Sequence, residues 1–181
     1  MVYIILGEGF EETEAIAPGD LLRRAGAPVC YAGIGGRRVT GSHGIVIEAD
    51  IALEELDLTQ LEMIVLPGGL QGVETILKTP AALEAVRFAY ENGKFVAAIC
   101  AAPTILARLG ITDGKKAVCY PAADLEAEMT KATLLQQPAV QDGHVITGAS
   151  AGCAVAFGLE LVKALQGAEA ANSVAKGIVI R

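Results

Sequence analysis

The sequence predicts a doubly wound α/β domain on a mostly parallel sheet, and three observations predict it. Short continuous apolar runs recur along the 181 residues, helix-length segments separate them, and Gly or Pro closes most runs. Apolar runs without alternation suit strands covered on both faces. Apolar residues make up 52% of the chain and aromatic ones only 4%, so the core must be assembled from Ala, Val, Ile and Leu. The length suits one domain, residues 1–181, with a substantial core.

Taken in order, Val2–Leu6 reads as the first strand. Glu12–Arg24 follows with helical periodicity and is ended by Gly26 and Pro28. Val29–Gly33 is a second strand, and the alternation within residues 38–50 suggests a hairpin or extended edge segment. Met63–Leu66 is a strand closed by Pro67, Gly68 and Gly69. Residues 80–92 form a helix with Pro in its first turn. Phe95–Ile99 is the strand that leads into Cys100, after which the apolar run opens a helix. Beyond Gly110 the pattern loosens: residues 116–119 and 145–147 read as short strands, 151–166 as a long apolar helix and 168–176 as a final one.

A net charge of −7, with no run of Lys or Arg beyond two residues, excludes a nucleic-acid partner. The apolar N-terminal run is too short for a signal peptide, and the longest apolar stretch is too short and too interrupted to cross a membrane. Cysteines at 30, 100, 119 and 153 have no CxxC or zinc spacing, so free thiols in a reducing cytoplasm and no metal are expected. The surplus of apolar residues suits a homodimer.

Ligands in doubly wound folds bind beyond the carboxyl ends of the strands. Here that edge carries residues 7–14, 67–72, Cys100 and 148–152. Cys100 stands where a strand becomes a helix, and such a position favours the nucleophilic thiolate through the helix dipole. Glu8, Glu11 and Glu12 read as solvated acids complementing a helix start. Glu14 differs, because it falls on the helix side that carries Ala17 and Leu21. Desolvation there should raise its pKa and suit it to proton transfer with Cys100. Gly68 and Gly69 offer backbone N–H groups for an oxyanion, with Ala101 as a second donor. Cys30 reads as core, whereas Cys119 and Cys153 are candidate resolving thiols.

These residues, namely Val65 to Gly69, Ala97 to Pro103 and the upstream Glu11-Glu12-Thr13-Glu14, resemble the ThiJ/PfpI superfamily. Within it they are most similar to the branch of the Parkinsonism-associated deglycase and its bacterial relatives. The resemblance implies a flavodoxin-like three-layer sandwich, a homodimer and an oxidation-sensitive nucleophile-elbow cysteine at Cys100. It matches Glu14 to the acid that hydrogen-bonds that cysteine, and Gly69 and Ala101 to the donors around it. Tyr120 stands where many members have His, and a phenol is a poor base at neutral pH. Ala101 replaces the His that follows the cysteine in the protease-like branch, which argues against peptidase activity. The loop with Arg in relatives reads Ala149-Ser150-Ala151-Gly152, without an anion-binding Arg. His43 lies in a loop that, in relatives, approaches the partner's site.

The resemblance thus implies a cofactor-independent cysteine enzyme acting on α-oxoaldehydes or early glycation adducts, of glyoxalase or deglycase type. Its partners would be a small carbonyl substrate or a glycated protein or metabolite. The alternative is a redox-sensing or chaperone-like stress protein whose Cys100 is oxidised to sulfinate without turnover.

Overall fold

The computed structural model describes residues 1–180. The chain runs β1 (Val2–Leu6), α1 (Glu12–Arg24), β2 (Val29–Gly33), β3 (Arg38–Thr40), β4 (Val46–Glu48), β5 (Ile51–Ala52), β6 (Met63–Leu66), α2 (Leu70–Leu77) and α3 (Pro80–Glu91). It continues through β7 (Phe95–Ile99), α4 (Pro103–Arg108), β8 (Lys116–Ala117), α5 (Ala123–Glu128), β9 (Thr133–Leu134), β10 (Ala139–Asp142), β11 (Val145–Gly148), α6 (Ala154–Gln166) and α7 (Ala168–Gly177). The doubly wound α/β fold expected from the apolar runs is present, as is the three-layer sandwich that the resemblance implies. The main sheet has seven strands in the order β10-β11-β7-β6-β1-β2-β5. Every pairing in it is parallel except β10 with β11.

The three layers follow from strand geometry, because successive side chains point to opposite faces. Val2, Ile4 and Leu6 of β1 join Val65, Ala97 and Ile99 in a core with Leu22 of α1 and Phe157 and Leu161 of α6. Tyr3 and Ile5 join Ile64, Val96 and Ala98 in the opposite core with Val73 and Ile76 of α2, Val86 of α3 and Ile105 of α4. Both faces are therefore buried, which is why the central strands read as unbroken apolar runs. Phe157 is fully buried, and removing a side chain of that size from water is worth about 2–3 kcal/mol.

Apart from α2 and the two-residue β5, which the sequence reading did not include, the element bounds match that reading closely in the first hundred residues. Residues 38–50 are a hairpin, with β3 antiparallel to β4 outside the main sheet. The long apolar helix begins later than expected, at Ala154, after a short 3-10 turn at Ala151–Cys153. Strand β1 pairs with β2 on one side and β6 on the other, so the connections leave in opposite directions. The loops after β1 and β6 meet at this switch point, where the Glu11 N–H donates to the Gly68 carbonyl at 3.0 Å and the Gly72 N–H to the Gly9 carbonyl at 3.2 Å, and a crevice lies beside them at the end of β7.

Candidate active site

A cavity of about 540 Å³ occupies that crevice. All four loops expected at the strand ends contribute to it: Glu11 and Glu14 from the first, Gly69 and Leu70 from the second, Cys100 with Ala101, and Ser150, Ala151 and Gly152 from the last. A fifth segment completes the wall with Tyr120, Ala122, Asp124 and Leu125. Sequence reasoning reached Tyr120 only through the family resemblance and missed the other three, because α5 is six residues long and has no buried face to impose periodicity.

Cys100 follows the last residue of β7 and has φ 65°, a left-handed conformation rare for a residue with a Cβ. Two backbone hydrogen bonds hold it there. Its N–H donates to the Gly148 carbonyl at 2.9 Å, and its carbonyl accepts from the Tyr120 N–H at 2.8 Å. The turn costs about 1–2 kcal/mol of strain and stands the thiol at the cavity floor, half-buried.

Glu14 sits in the first turn of α1 and is fully buried. One oxygen, Oε2, accepts from the Gly68 N–H at 2.8 Å. The other, Oε1, is buried and makes no well-formed hydrogen bond. Burial lifts the carboxyl to about 7, against the opposing hydrogen-bond influence of the Cys100 thiol and the Gly68 amide. The rise expected from its helix face is therefore present, and the group titrates near neutral pH.

The thiol departs from expectation. Burial pushes Cys100 up to about 12, and the neighbouring Glu14 charge and hydrogen bond push it in the same direction. The N–H groups of Ala101 and Gly69 act on the sulfur in the opposite sense but do not prevail. Burial and Glu14 outweigh the dipole influence expected there, since α4 spans only six residues and opens on Pro103, three residues beyond the sulfur. Such fields fade within a turn. The resting sulfur is a protonated thiol beside a titratable carboxyl.

Gly68 is also corrected. Its N–H is occupied by Glu14, so it orients the carboxyl and is not an oxyanion donor. A Cβ at this position would lie 2.6 Å from Glu14 Oε2 and 2.8 Å from Cys100 Cβ, so only glycine lets the two groups meet. Gly69, at φ 83°, turns the chain so that its own N–H reaches the sulfur, as the Ala101 N–H does.

Glu12 is not the solvated acid expected. It is buried and ties α1 to the hairpin, accepting from the His43 N–H at 2.8 Å and the Ile45 N–H at 3.3 Å, with His43 Nδ1 at 3.0 Å. Burial opposes its charge, but these hydrogen bonds prevail and hold Glu12 at about 2. The hydrogen bond to Glu12 raises His43 in turn. His43 does not line the cavity; it touches the site only through Glu11, 3.5 Å from its Nδ1. Glu11, Glu12 and His43 already satisfy one another, and Ser42 Oγ bridges the two acids. Neither Cys119 nor Cys153 lines the cavity. Cys119 packs against Ala117 and Met129, and Cys153 Sγ accepts a hydrogen bond from Ser150 Oγ.

Comparisons with known proteins agree with this fold. The sequence profile of the DJ-1/PfpI family matches residues 1–164. Protein dj-1beta of Drosophila melanogaster is 35% identical over 178 residues, covering 98% of this chain and 95% of that protein. Its crystal structure superposes with a TM-score of 0.93 over 99% of this chain and 97% of that one. The glutathione-independent glyoxalase DJR-1.2 of Caenorhabditis elegans is 32% identical, covering 96% of this chain and 92% of that protein.

Proposed function

The chain belongs to the DJ-1/PfpI family, and from that premise we propose that it is a cofactor-independent cysteine enzyme acting on α-oxoaldehydes or their early adducts. The observation that carries the proposal is the pairing of Cys100 with a buried carboxyl that titrates at about 7, at the floor of a cavity. A relative named as a glutathione-independent glyoxalase supports the same reading.

The chemistry follows from the proton. Glu14 in its carboxylate form takes the Cys100 proton as sulfur adds to the aldehyde carbon of methylglyoxal. The oxyanion so formed lies toward the Gly69 and Ala101 N–H groups. Once protonated there, the adduct is a hemithioacetal. Glu14 passes the aldehyde-carbon proton to the ketone carbon through an enediol, giving a thioester of lactate. Water hydrolyses the thioester, releasing lactate and the thiol. One carbon is oxidised and its neighbour reduced, so no external oxidant or cofactor is required.

The exposed apolar Ile45 and Val46 of the hairpin, and Ile16 of α1 tied to it through Glu12, support a homodimer. Four free cysteines support a reducing, cytoplasmic setting. Among the described residues no helix is long and apolar enough to cross a membrane.

The test is lactate formation from methylglyoxal by wild type, Cys100→Ser and Glu14→Gln. Wild type converts it, and neither variant does while each keeps the native circular-dichroism spectrum. Lactate from Cys100→Ser at the wild-type rate removes the mechanism.

A further inference from the structure

The cavity around Cys100 is one-sided in charge. Glu11, Glu14 and Asp124 line it, and among the described residues no lysine, arginine or histidine does. His43, which lies 3.5 Å from Glu11, is held on Glu12 and does not line the cavity. Ser150, Ala151 and Gly152 close the opposite wall without charge. Glu14 Oε1 adds an independent observation, as a buried carboxyl oxygen with no well-formed hydrogen bond. Such an atom carries a desolvation cost that a ligand relieves by bringing a donor or positive charge. An anionic ligand would instead add a like charge to a confined space.

We propose that Glu11 and Asp124 are specificity residues that select carbonyl compounds bearing a positive charge near the reacting carbon, as on a basic peptide, and reject carboxylated or phosphorylated ones. This deepens the reading given above and rests on it. Asp124 sits exposed in the first turn of α5, so its field acts at the cavity mouth, whereas Glu11 is half-buried further in. Neither side chain has to touch the reacting atoms, because Coulomb attraction in a cavity with low-dielectric walls extends over several ångströms.

The experiment reads the sulfur directly. Wild type, Asp124→Asn and Glu11→Gln are treated with trimethylammonioethyl and sulfonatoethyl methanethiosulfonates, which differ in charge. Deprotonated Cys100 attacks the sulfenyl sulfur, an S–S bond forms, and methanesulfinate leaves with the electron pair of the broken bond. The rate is followed on the Cys100 peptide by mass spectrometry and normalised to both reagents with free 2-mercaptoethanol. Wild type should favour the cation about tenfold at low salt, and Asp124→Asn should lower that ratio about threefold. In 0.5 M NaCl the ratio should fall toward one. A wild-type ratio of one or below, or a ratio unmoved by both substitutions, overturns the proposal. The readout does not need turnover. Charge selection without conversion of methylglyoxal would refute the glyoxalase reading alone, and conversion with a ratio of one would refute charge selection alone.

Discussion

Replacing Glu14 with Gln should stabilise the protein above neutral pH, and the size of the effect follows from the carboxyl's titration. Burial raises Glu14 from 4.5 to about 7 in the folded protein. Between those values the folded chain keeps a proton that the unfolded chain releases. The contribution is thus fully present below pH 4.5 and is lost as pH rises through 7. A shift of about 2.5 units at 1.36 kcal/mol each is about 3 kcal/mol. Glu14 is fully buried, so solvent screening does not reduce this figure. Gln has the same shape and can still accept from the Gly68 N–H, yet it has no charge to desolvate. The quantity to measure is the difference in unfolding free energy between variant and wild type at pH 8, minus the same difference at pH 4.5. Changes in packing or hydrogen bonding that do not depend on pH cancel in that subtraction. Urea denaturation at one fixed protein concentration should give about 3 kcal/mol in favour of Gln, a midpoint shift of roughly 1 M or more. A difference near zero, or one favouring wild type at pH 8, would refute the claim that Glu14 is a desolvated acid.

Gly68→Ala should be destabilising by about 1–3 kcal/mol, because the new methyl meets Glu14 Oε2 at 2.6 Å and Cys100 Cβ at 2.8 Å. It should also abolish methylglyoxal conversion; an alanine variant with wild-type stability and turnover would show that the close approach is not required. At Cys100, Gly should be more stable than Ala by about 1 kcal/mol, since φ 65° strains any residue with a Cβ. Thermal unfolding of Cys100→Gly and Cys100→Ala side by side checks this, and an alanine variant with the higher midpoint would contradict it.

What the sequence revealed depended on how local each cause was. Strands β1, β2, β6 and β7 were legible because the two covering layers leave no polar face to obscure them. The antiparallel β10 was not, since its residues Ala139–Asp142 are only half-buried and follow two glutamines and a proline. Helix α2 was passed over because Gly72 interrupts an eight-residue pattern, although Val73 and Ile76 do mark its buried face. Within α1, Glu14 declared itself by its place on the apolar side. Glu12 did not, because its partners His43 and Ile45 lie some thirty residues further along. The Cys100 pKa fell outside local reasoning altogether. It is governed by burial and by Glu14, which reaches it from another element.

That last reversal bears on how the site works without a histidine. Both groups of the pair are raised, so the pair holds two protons below about pH 7 and one above it. In the one-proton state the proton rests on sulfur or on Glu14. With Glu14 protonated, its charge no longer opposes the thiolate, and the Gly69 and Ala101 N–H groups favour it. In the proposed chemistry, moving the proton to Glu14 forms the thiolate in the same step that removes the Glu14 charge opposing it, leaving burial as the remaining cost. A general base works best when its pKa lies near the ambient pH, the range that imidazole ordinarily supplies. Here a carboxyl reaches that range by desolvation, with Gly68 leaving it room beside the cysteine. In the proposed chemistry, Tyr120 in place of a histidine then leaves no proton acceptor missing. The same burial that makes Cys100 a weak acid also confines its reactivity to ligands that enter the cavity.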